Sequence, residues 1–166
     1  MSMKFDKTLL IKNITAQTEK KAKAIVDNVL NQVVDSLMFH SPVGQPEKWK
    51  MFEADEDYTP GKYKANWIYS AGTPIYDYDD SESDNSFKQA DCATGRVLKK
   101  HIAVNKKLIT THYFTNSTPY AEAIEFGGVP WQSKHNPQSQ TFPIAVAGLT
   151  AQNIPIYLAK AVAEVK

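Results

Sequence analysis

Apolar residues recur at three- and four-residue steps along the segment that follows Thr15, which predicts one long amphipathic helix. Thr15 or Thr18 is placed to cap its start, and Ser41-Pro42 ends it, because the residue before a proline is pushed away from helical angles. At about 24 residues, or roughly 36 Å, this helix is the natural cover for a sheet. Its stripe consists of Ala22, Ile25, Val26, Val29, Leu30, Val33, Val34, Leu37 and Met38.

Two stretches rich in β-branched and aromatic residues predict strands over residues 65–70 and 108–115. A second helix is predicted between them, over residues 87–104. One side of it carries Phe87, Ala90, Val97 and His101, and the other carries the Lys99-Lys100 pair. A closing helix is expected to begin at Asn153, with Pro155 in its first turn, where a missing N–H costs nothing.

These elements predict a single α+β domain over residues 1–166. A small, mainly antiparallel sheet is covered by the long N-terminal helix and the C-terminal helix, with large loops at 44–60 and 128–142. Residues 1–14 are as compatible with a docking arm as with a strand. Trp49 and Phe52 in the first loop either fold back on their own domain or anchor in a neighbouring protein. With Trp131 in the second loop, they are the candidates for contacts with neighbouring subunits.

The segment Asn116-Ser-Thr-Pro-Tyr-Ala-Glu-Ala-Ile-Glu-Phe-Gly-Gly128 is predicted to run from a strand through a short helical corner into a loop. Pro119 cannot donate to a strand partner, and the short polar side chains before it can turn the backbone. Gly127 and Gly128 can adopt positive φ and end the corner. Glu125 could serve as a general acid, but a structural carboxylate bonded to backbone or to a neighbouring subunit is favoured, because the sequence offers it no catalytic partner.

The corner resembles that of the tail-completion, or neck, proteins of long-tailed bacteriophages, the family that includes the lambda-type minor tail protein Z. The matching residues are Asn116, Ser117, Pro119, Tyr120, Ala121, Ile124, Glu125 and Gly127. A second similarity lies upstream, where Ser41-Pro42-Val43 is followed by Thr59-Pro-Gly-Lys-Tyr-Lys-Ala-Asn-Trp67. About fifteen residues separate the two parts of this second segment, where simple members of the family run straight on; an enlarged loop accounts for them.

The resemblance implies a structural virion protein without catalytic activity or cofactor, made in the host cytoplasm and incorporated into the tail or neck. It would work as a closed homo-oligomeric ring, such as a hexamer, that completes the tail and joins it to the head. Its partners would be further copies of itself, tail-tube or tail-terminator proteins and head-closure proteins. DNA passing through such a ring would need only diffuse, non-specific contact.

Composition narrows the classes of function. A net charge of +1 gives no bulk electrostatic reason for a nucleic acid or an anionic membrane as the main partner. Cys92 is the only cysteine, which excludes an internal disulfide framework and a cysteine-rich zinc site. No apolar run approaches the ~18 residues of a membrane helix.

Two other classes of function are open at this stage. Acidic residues crowd positions 77–84, which suggests a metal-dependent binding protein or a small hydrolase, although the glycine and closing glutamate of a calcium loop are missing. The four histidines show no metal-binding or catalytic spacing, and no nucleophile elbow is present. A nucleic-acid binder could use the scattered basic residues Lys62, Lys64, Arg96, Lys99, Lys100, Lys106 and Lys107.

Overall fold

The computed structural model describes residues 7–44, 59–105, 110–126 and 145–165. Five helices and two strands lie in these ranges, in the order α1 Lys7–His40, α2 Lys62–Ala65, β1 Trp67–Ala71, α3 Ala93–Val104, β2 His112–Asn116, α4 Ala121–Phe126 and α5 Val146–Glu164. The α+β class is confirmed: a small antiparallel sheet accompanies a long N-terminal helix that packs on the C-terminal helix.

Helix α1 is longer than its apolar stripe predicts. It starts at Lys7, so residues 7–14 are helical. The Thr18 hydroxyl donates to the carbonyl of Ile14 inside the helix instead of capping its start. The predicted end is confirmed, since the helix stops at His40 and both the amide and the hydroxyl of Ser41 donate to the carbonyl of Leu37. The buried part of the predicted stripe is Leu30, Val33, Val34, Leu37 and Met38.

Strands β1 and β2 form a two-stranded antiparallel sheet, with Trp67 opposite Asn116 and Ala71 opposite His112. Both lie close to their predicted positions, but the chain enters β1 from the short helix α2, so Ala65 is helical and not part of the strand. Strand β2 begins at His112, and residues 106–109 lie outside the described ranges.

Helix α3 begins at Ala93, and the prediction that it starts near residue 87 was wrong. The carbonyls of Ser86 and Gln89, which a longer helix would use internally, instead accept hydrogen bonds from the ammonium group of Lys64. Cys92 is the N-cap, and its sulfur accepts from the amide of Gly95. The buried face also differs from the predicted one: Leu98 and Ile102 are buried, whereas Phe87 and Val97 are about half exposed.

Helix α5 begins at Val146, so Asn153 does not cap it and Pro155 lies in its interior. The side-chain amide of Asn153 donates to the carbonyl of Leu149 within the helix. Pro155 removes one hydrogen bond from the middle of the helix, a cost that tertiary packing must offset. The apolar spacing of this segment predicts a buried stripe of Ile154, Leu158, Ala161, Val162 and Val165. That prediction was wrong for the most part, because Ala161 is fully buried while Ile154, Leu158 and Val162 are exposed.

Helices α1 and α5 run antiparallel and form the largest helix contact of the described residues. In the hydrogen-bonded pairs between them, residue numbers increase along α1 while they decrease along α5. These pairs are Asn28 with Glu164, Gln32 with Tyr157 and Ser36 with Thr150. Apolar side chains of α1, the sheet and α3 meet beside this contact. The core comprises Leu30, Val33, Val34, Leu37, Met38, Tyr63, Trp67, Tyr69, Cys92, Leu98, Ile102, Ile124 and Val146.

Candidate functional site

The two segments that carry the family resemblance meet at Tyr63. Its hydroxyl donates to Oε1 of Glu125 at 3.0 Å, which joins the upstream segment to the helical corner. Its ring lies edge-on to Trp67, with 5.7 Å between ring centroids, and beside Tyr120 at 6.5 Å. Burial, and then the charge of Glu125, raise the pKa of the Tyr63 hydroxyl, so it stays a hydrogen-bond donor at neutral pH.

Asn116 makes the second connection between these segments. Its amide nitrogen donates to the carbonyl of Tyr63 at 2.7 Å, while its amide oxygen accepts from the backbone and the hydroxyl of Thr118. The polar turn predicted ahead of Pro119 is therefore built by the Asn116 side chain. The amide of Ala121 then donates to the carbonyl of Thr118, which starts α4 immediately after Pro119 and Tyr120.

Glu125 closes this corner by capping another helix. Both of its carboxylate oxygens accept from the amide of Ala147, at 2.9 and 3.1 Å, and Oε2 also accepts from the amide of Gly148 at 3.4 Å. These amides belong to the first turn of α5, where backbone N–H groups lack partners within the helix and the helix dipole favours negative charge. The contacts therefore give Glu125 a structural role in joining α4, α5 and Tyr63.

Trp67 extends the connection to the end of α1. Its indole N–H donates to the hydroxyl of Ser41 at 2.9 Å, and that hydroxyl donates to the carbonyl of Leu37. Ser41 thus ends α1 and also positions the first residue of β1. Through Trp67 and Tyr63 together, the matched segments at 41–43, 59–67 and 116–125 form one connected unit, which we call the motif corner.

The polar residues that alternate with Tyr63 and Trp67 hold the loop that follows β1. Lys62 forms an ion pair with Asp80 at 2.8 Å, and fully buried Lys64 donates to the carbonyls of Ser86 and Gln89. The Asn66 side chain donates to the carbonyl of Asp79 and accepts from its amide. Within residues 62–67, Tyr63 and Trp67 therefore belong to the motif corner, whereas the three polar residues between and before them hold the loop.

The acidic residues at 77–84 point to separate partners in this structure. Asp79 accepts from Ser81, and Asp80 from Lys62 and Tyr78. The bond from Lys62 holds the pKa of Asp80 below its usual range.

Asp84 is buried, and its carboxylate accepts from Ser86 and from the amide of Thr94 at the start of α3. Burial alone would raise the pKa of this carboxyl, but the hydrogen bonds from Ser86 and Thr94 outweigh burial and lower it. Among the residues that the structure describes, no three His, Cys, Asp or Glu side chains are grouped as they would be to hold a metal ion.

A second polar cluster joins α1, α3 and both strands. Lys23 pairs with Asp27 and donates to the carbonyl of Asn105, whose side-chain amide donates to the hydroxyl of Tyr69 at 2.8 Å. The Tyr69 hydroxyl lies 2.9 Å from Nδ1 of His112, and the two rings stack. Since the Tyr69 oxygen already accepts from Asn105, its proton is available to His112, so neutral His112 fits this arrangement best.

Protonation of His112 is expected to weaken the fold. Burial lowers the pKa of His112 from its ordinary value of 6.5, so the unfolded chain takes up this proton first as the pH falls. The stabilising contribution is complete above about pH 6.5 and is lost as the pH falls toward the lowered pKa. Urea unfolding between pH 7.5 and 5 should give a shallower loss of stability for His112→Gln than for the wild type. The same change at exposed His101 should leave the wild-type slope, and equal slopes for all three proteins would contradict this prediction.

The basic residues considered for nucleic-acid binding are mostly engaged inside the fold. Besides Lys62 and Lys64, Lys99 pairs with Asp35 at 2.5 Å and Arg96 lies 3.6 Å from Asp91. Lys100 is exposed, whereas Lys106 and Lys107 fall outside the described ranges.

Helix α5 carries an exposed apolar surface that the sequence pattern did not indicate. It packs on the domain through Val146, Thr150, Tyr157 and Ala161, which lie along one face. Large apolar side chains remain exposed around the rest of its circumference, namely Leu149, Ile154, Ile156, Leu158 and Val162. The available signal was composition, because the helix has only Lys160 and Glu164 as charged residues. A helix that is apolar on every side usually has neighbours on every side.

Other predicted site residues cannot be placed. Gly127 and the interface candidates Trp49, Phe52 and Trp131 lie outside the described residues. In the described part of the chain, none of the helices combines the length and the hydropathy needed to cross a membrane. Comparison of the chain with protein-family models, curated proteins and solved structures gives no match. The function is therefore inferred from the motif corner, from the exposed surfaces and from the family resemblance.

Proposed function

We propose that this protein is a structural component of a phage tail or neck. It assembles into a homo-oligomeric ring that completes the tail and joins it to the head. The observation that carries this proposal is the exposed apolar surface of α5. Five large aliphatic side chains on one helix, between 37% and 64% exposed, favour a protein whose final state includes neighbours.

The motif corner supports the family assignment behind this proposal. The matched segments are far apart in sequence, yet Tyr63, Trp67 and Asn116 join them through direct hydrogen bonds and ring contacts. The residues that resemble those of the tail-completion family act as one structural unit, which contacts the start of α5 through Glu125.

The contacts also favour a binding role over the metal-dependent or hydrolytic alternative. The carboxylates of Asp79, Asp80 and Asp84 bond to Ser81, to Lys62 and to the start of α3, respectively, which are structural tasks. Glu125 likewise faces backbone amides and Tyr63. Partners in the virion would be tail-tube or tail-terminator proteins on one side of the ring and head-closure proteins on the other, with DNA passing through the lumen.

The exposed face of α5 is expected to be required for assembly. The variant Leu158→Glu with Val162→Lys places two opposite charges four residues apart, an order that suits a helix, so folding should be preserved. Native mass spectrometry of the wild type across concentration, alone and with tail-tube protein, should reveal a closed ring. The variant should stay monomeric and fail in an in vitro tail-joining assay.

Val97→Glu is the matched control, because Val97 on α3 is exposed to the same 52% as Val162. This control should assemble as the wild type does, and all three proteins should melt within a few degrees of one another. Ring formation and tail joining that are unchanged in the α5 variant would overturn the proposed role of this surface. A wild type that stays monomeric in every condition would overturn the proposed function.

A further inference from the structure

The first half of α1 extends away from the rest of the described chain. The end of α3 reaches α1 at Lys23, whose ammonium group donates to the carbonyl of Asn105. Before that point Lys12 and every residue from Ile14 to Lys21 is exposed, and Ile14 itself is 54% exposed. We call the segment from Lys7 to Lys21 the projecting arm. Its 15 residues correspond to about 22 Å of helix.

The composition of the projecting arm does not explain why the arm should be helical without a binding partner. It contains three threonines, an asparagine and two isoleucines, which are mediocre helix formers, and an isolated helix of this length is marginal in water. The arm contains a single acidic residue, Glu19, and four lysines, namely Lys7, Lys12, Lys20 and Lys21. The first turn of α1 has no acidic residue to offset the positive end of the helix dipole. A partner that stabilises this arm should therefore carry negative charge.

The same chain presents such a surface on the loop after β1. Asp77, Asp79 and Glu82 are exposed there, and they follow Tyr76, which is 77% exposed. We call residues 77–84 the acidic loop. Hydrogen bonds between Asn66 and the backbone of Asp79, together with the ion pair of Lys62 and Asp80, hold it in a defined shape. An exposed tyrosine beside carboxylates suits lysine ammonium groups, through its ring as well as through the charges.

The projecting arm and the acidic loop lie toward opposite ends of one molecule. Lys62 and Asn66, which hold the loop, lie next to Trp67, and Trp67 bonds to Ser41 just after the end of α1. The arm is at the other end of that helix, since Lys21 and Ser41 are separated by about 30 Å of helix. An arm therefore meets an acidic loop most readily on another copy of the chain.

We propose that the projecting arm of α1 docks on the acidic loop of a second copy in a head-to-tail contact. Lys12 and Lys20, which are eight residues and therefore about 80° apart around the helix, face Asp77, Asp79 and Glu82 of the second copy beside Tyr76. Lys21 adds positive charge on the other side of the arm. Because the two surfaces differ, each copy can bind one neighbour at each end, and the contacts close into a ring when the rotation permits. This inference names one interface of the proposed ring and rests on the self-association in the proposed function.

Complementary charge reversal tests the pairing. The arm variant Lys12→Glu/Lys20→Glu/Lys21→Glu and the loop variant Asp77→Lys/Glu82→Lys each make both surfaces of a copy equal in sign. Each alone should lose self-association at least about tenfold in sedimentation velocity at low salt. An equimolar mixture should regain the wild-type assembly, because every arm then finds a loop of opposite charge. Added salt should weaken the assemblies of the wild type and of the mixture.

The control variant Lys88→Glu/Lys100→Glu reverses exposed lysines outside both the acidic loop and α5 and should assemble as the wild type does. Assembly of both reversed variants at wild-type strength would overturn the contact and leave the proposed ring intact. A mixture that stays dissociated would also overturn it. A wild type that binds duplex DNA through the arm, while remaining monomeric at every concentration, would overturn both the contact and the self-association on which it rests.

Discussion

Replacing Gly61 with alanine should destabilise the protein by about 3 kcal/mol and lower its melting temperature by about 10 °C. Gly61 has φ of 83°, a conformation that residues with a β-carbon rarely adopt. A β-carbon there would also lie 2.2 Å from the carbonyl oxygen of Asp84, so the backbone of the acidic loop would have to move. A shift of this backbone would disturb the Asp84 carboxylate, which caps α3. It would also disturb the hydrogen bond that the amide of Asp84 donates to the carbonyl of Gly61.

Gly148→Ala is the matched control for Gly61→Ala. Gly148 lies in the first turn of α5, and its nearest neighbour would be the β-carbon of Ala145 at 3.5 Å, an ordinary contact. Alanine should be tolerated there, or even stabilise the helix by about 0.5 kcal/mol. Urea titration monitored by circular dichroism gives both values. A loss below about 1 kcal/mol for Gly61→Ala would contradict the close backbone approach between residues 61 and 84.

Replacing Glu125 with alanine should cost about 2 kcal/mol. The substitution removes the cap of α5, an effect of about 1 kcal/mol, and leaves the buried hydroxyl of Tyr63 without its acceptor. Hydrogen exchange should show the amides of Ala147 and Gly148 losing protection before the rest of α5. Glu125→Gln keeps one acceptor oxygen and should lose roughly half as much stability.

Tyr63→Phe separates the two parts of this effect. It removes the hydroxyl and leaves the contacts of Glu125 with α5, so it should cost about 1 kcal/mol. In a double-mutant cycle the pair should be non-additive, because each substitution removes the same hydrogen bond. Strict additivity, or unchanged protection of Ala147 in Glu125→Ala, would mean that Glu125 does not join the motif corner to α5.

Sequence patterns correctly predicted those helices and strands that are set by interactions between residues close together in the chain. The stripe from Leu30 to Met38 and the stop at Ser41-Pro42 depend on spacing within one helix and on the geometry of one proline. The two strands and α4 also lie near their predicted positions, since β-branched runs and the turn built by Asn116 act over a few residues. For α1, the apolar spacing failed to indicate only how far the helix extends toward the N-terminus.

Helix starts could not be predicted where the capping group comes from elsewhere in the chain. Helix α5 begins at Val146 because the carboxylate of Glu125, 22 residues before Ala147, accepts its first amides. Helix α3 begins at Ala93 because Asp84 accepts from Thr94, while Lys64 takes carbonyls that a longer helix would use. A local search for capping residues therefore favoured Asn153 and a start near Phe87.

The candidate site likewise combines residues that the sequence predicted with contacts that it did not predict. Asn116, Tyr120, Glu125 and the stretch from Gly61 to Trp67 were singled out from their sequence pattern. Their contacts were not predictable, because hydrogen bonds such as Tyr63 with Glu125 depend on how distant segments pack. The exposed apolar face of α5 was also hidden, since spacing alone does not reveal which side of an apolar helix the domain covers.

The sequence by itself determined the α+β class, the long first helix, the approximate strands and the residues of the motif corner. These follow from short-range steric preferences and from the periodicity of apolar groups, which act wherever the chain folds. Only the tertiary structure decided where α3 and α5 begin, which carboxylates bond to which helices, and which apolar surfaces remain exposed. Each of those outcomes depends on groups brought together from distant parts of the chain, where burial makes every unpaired polar group costly.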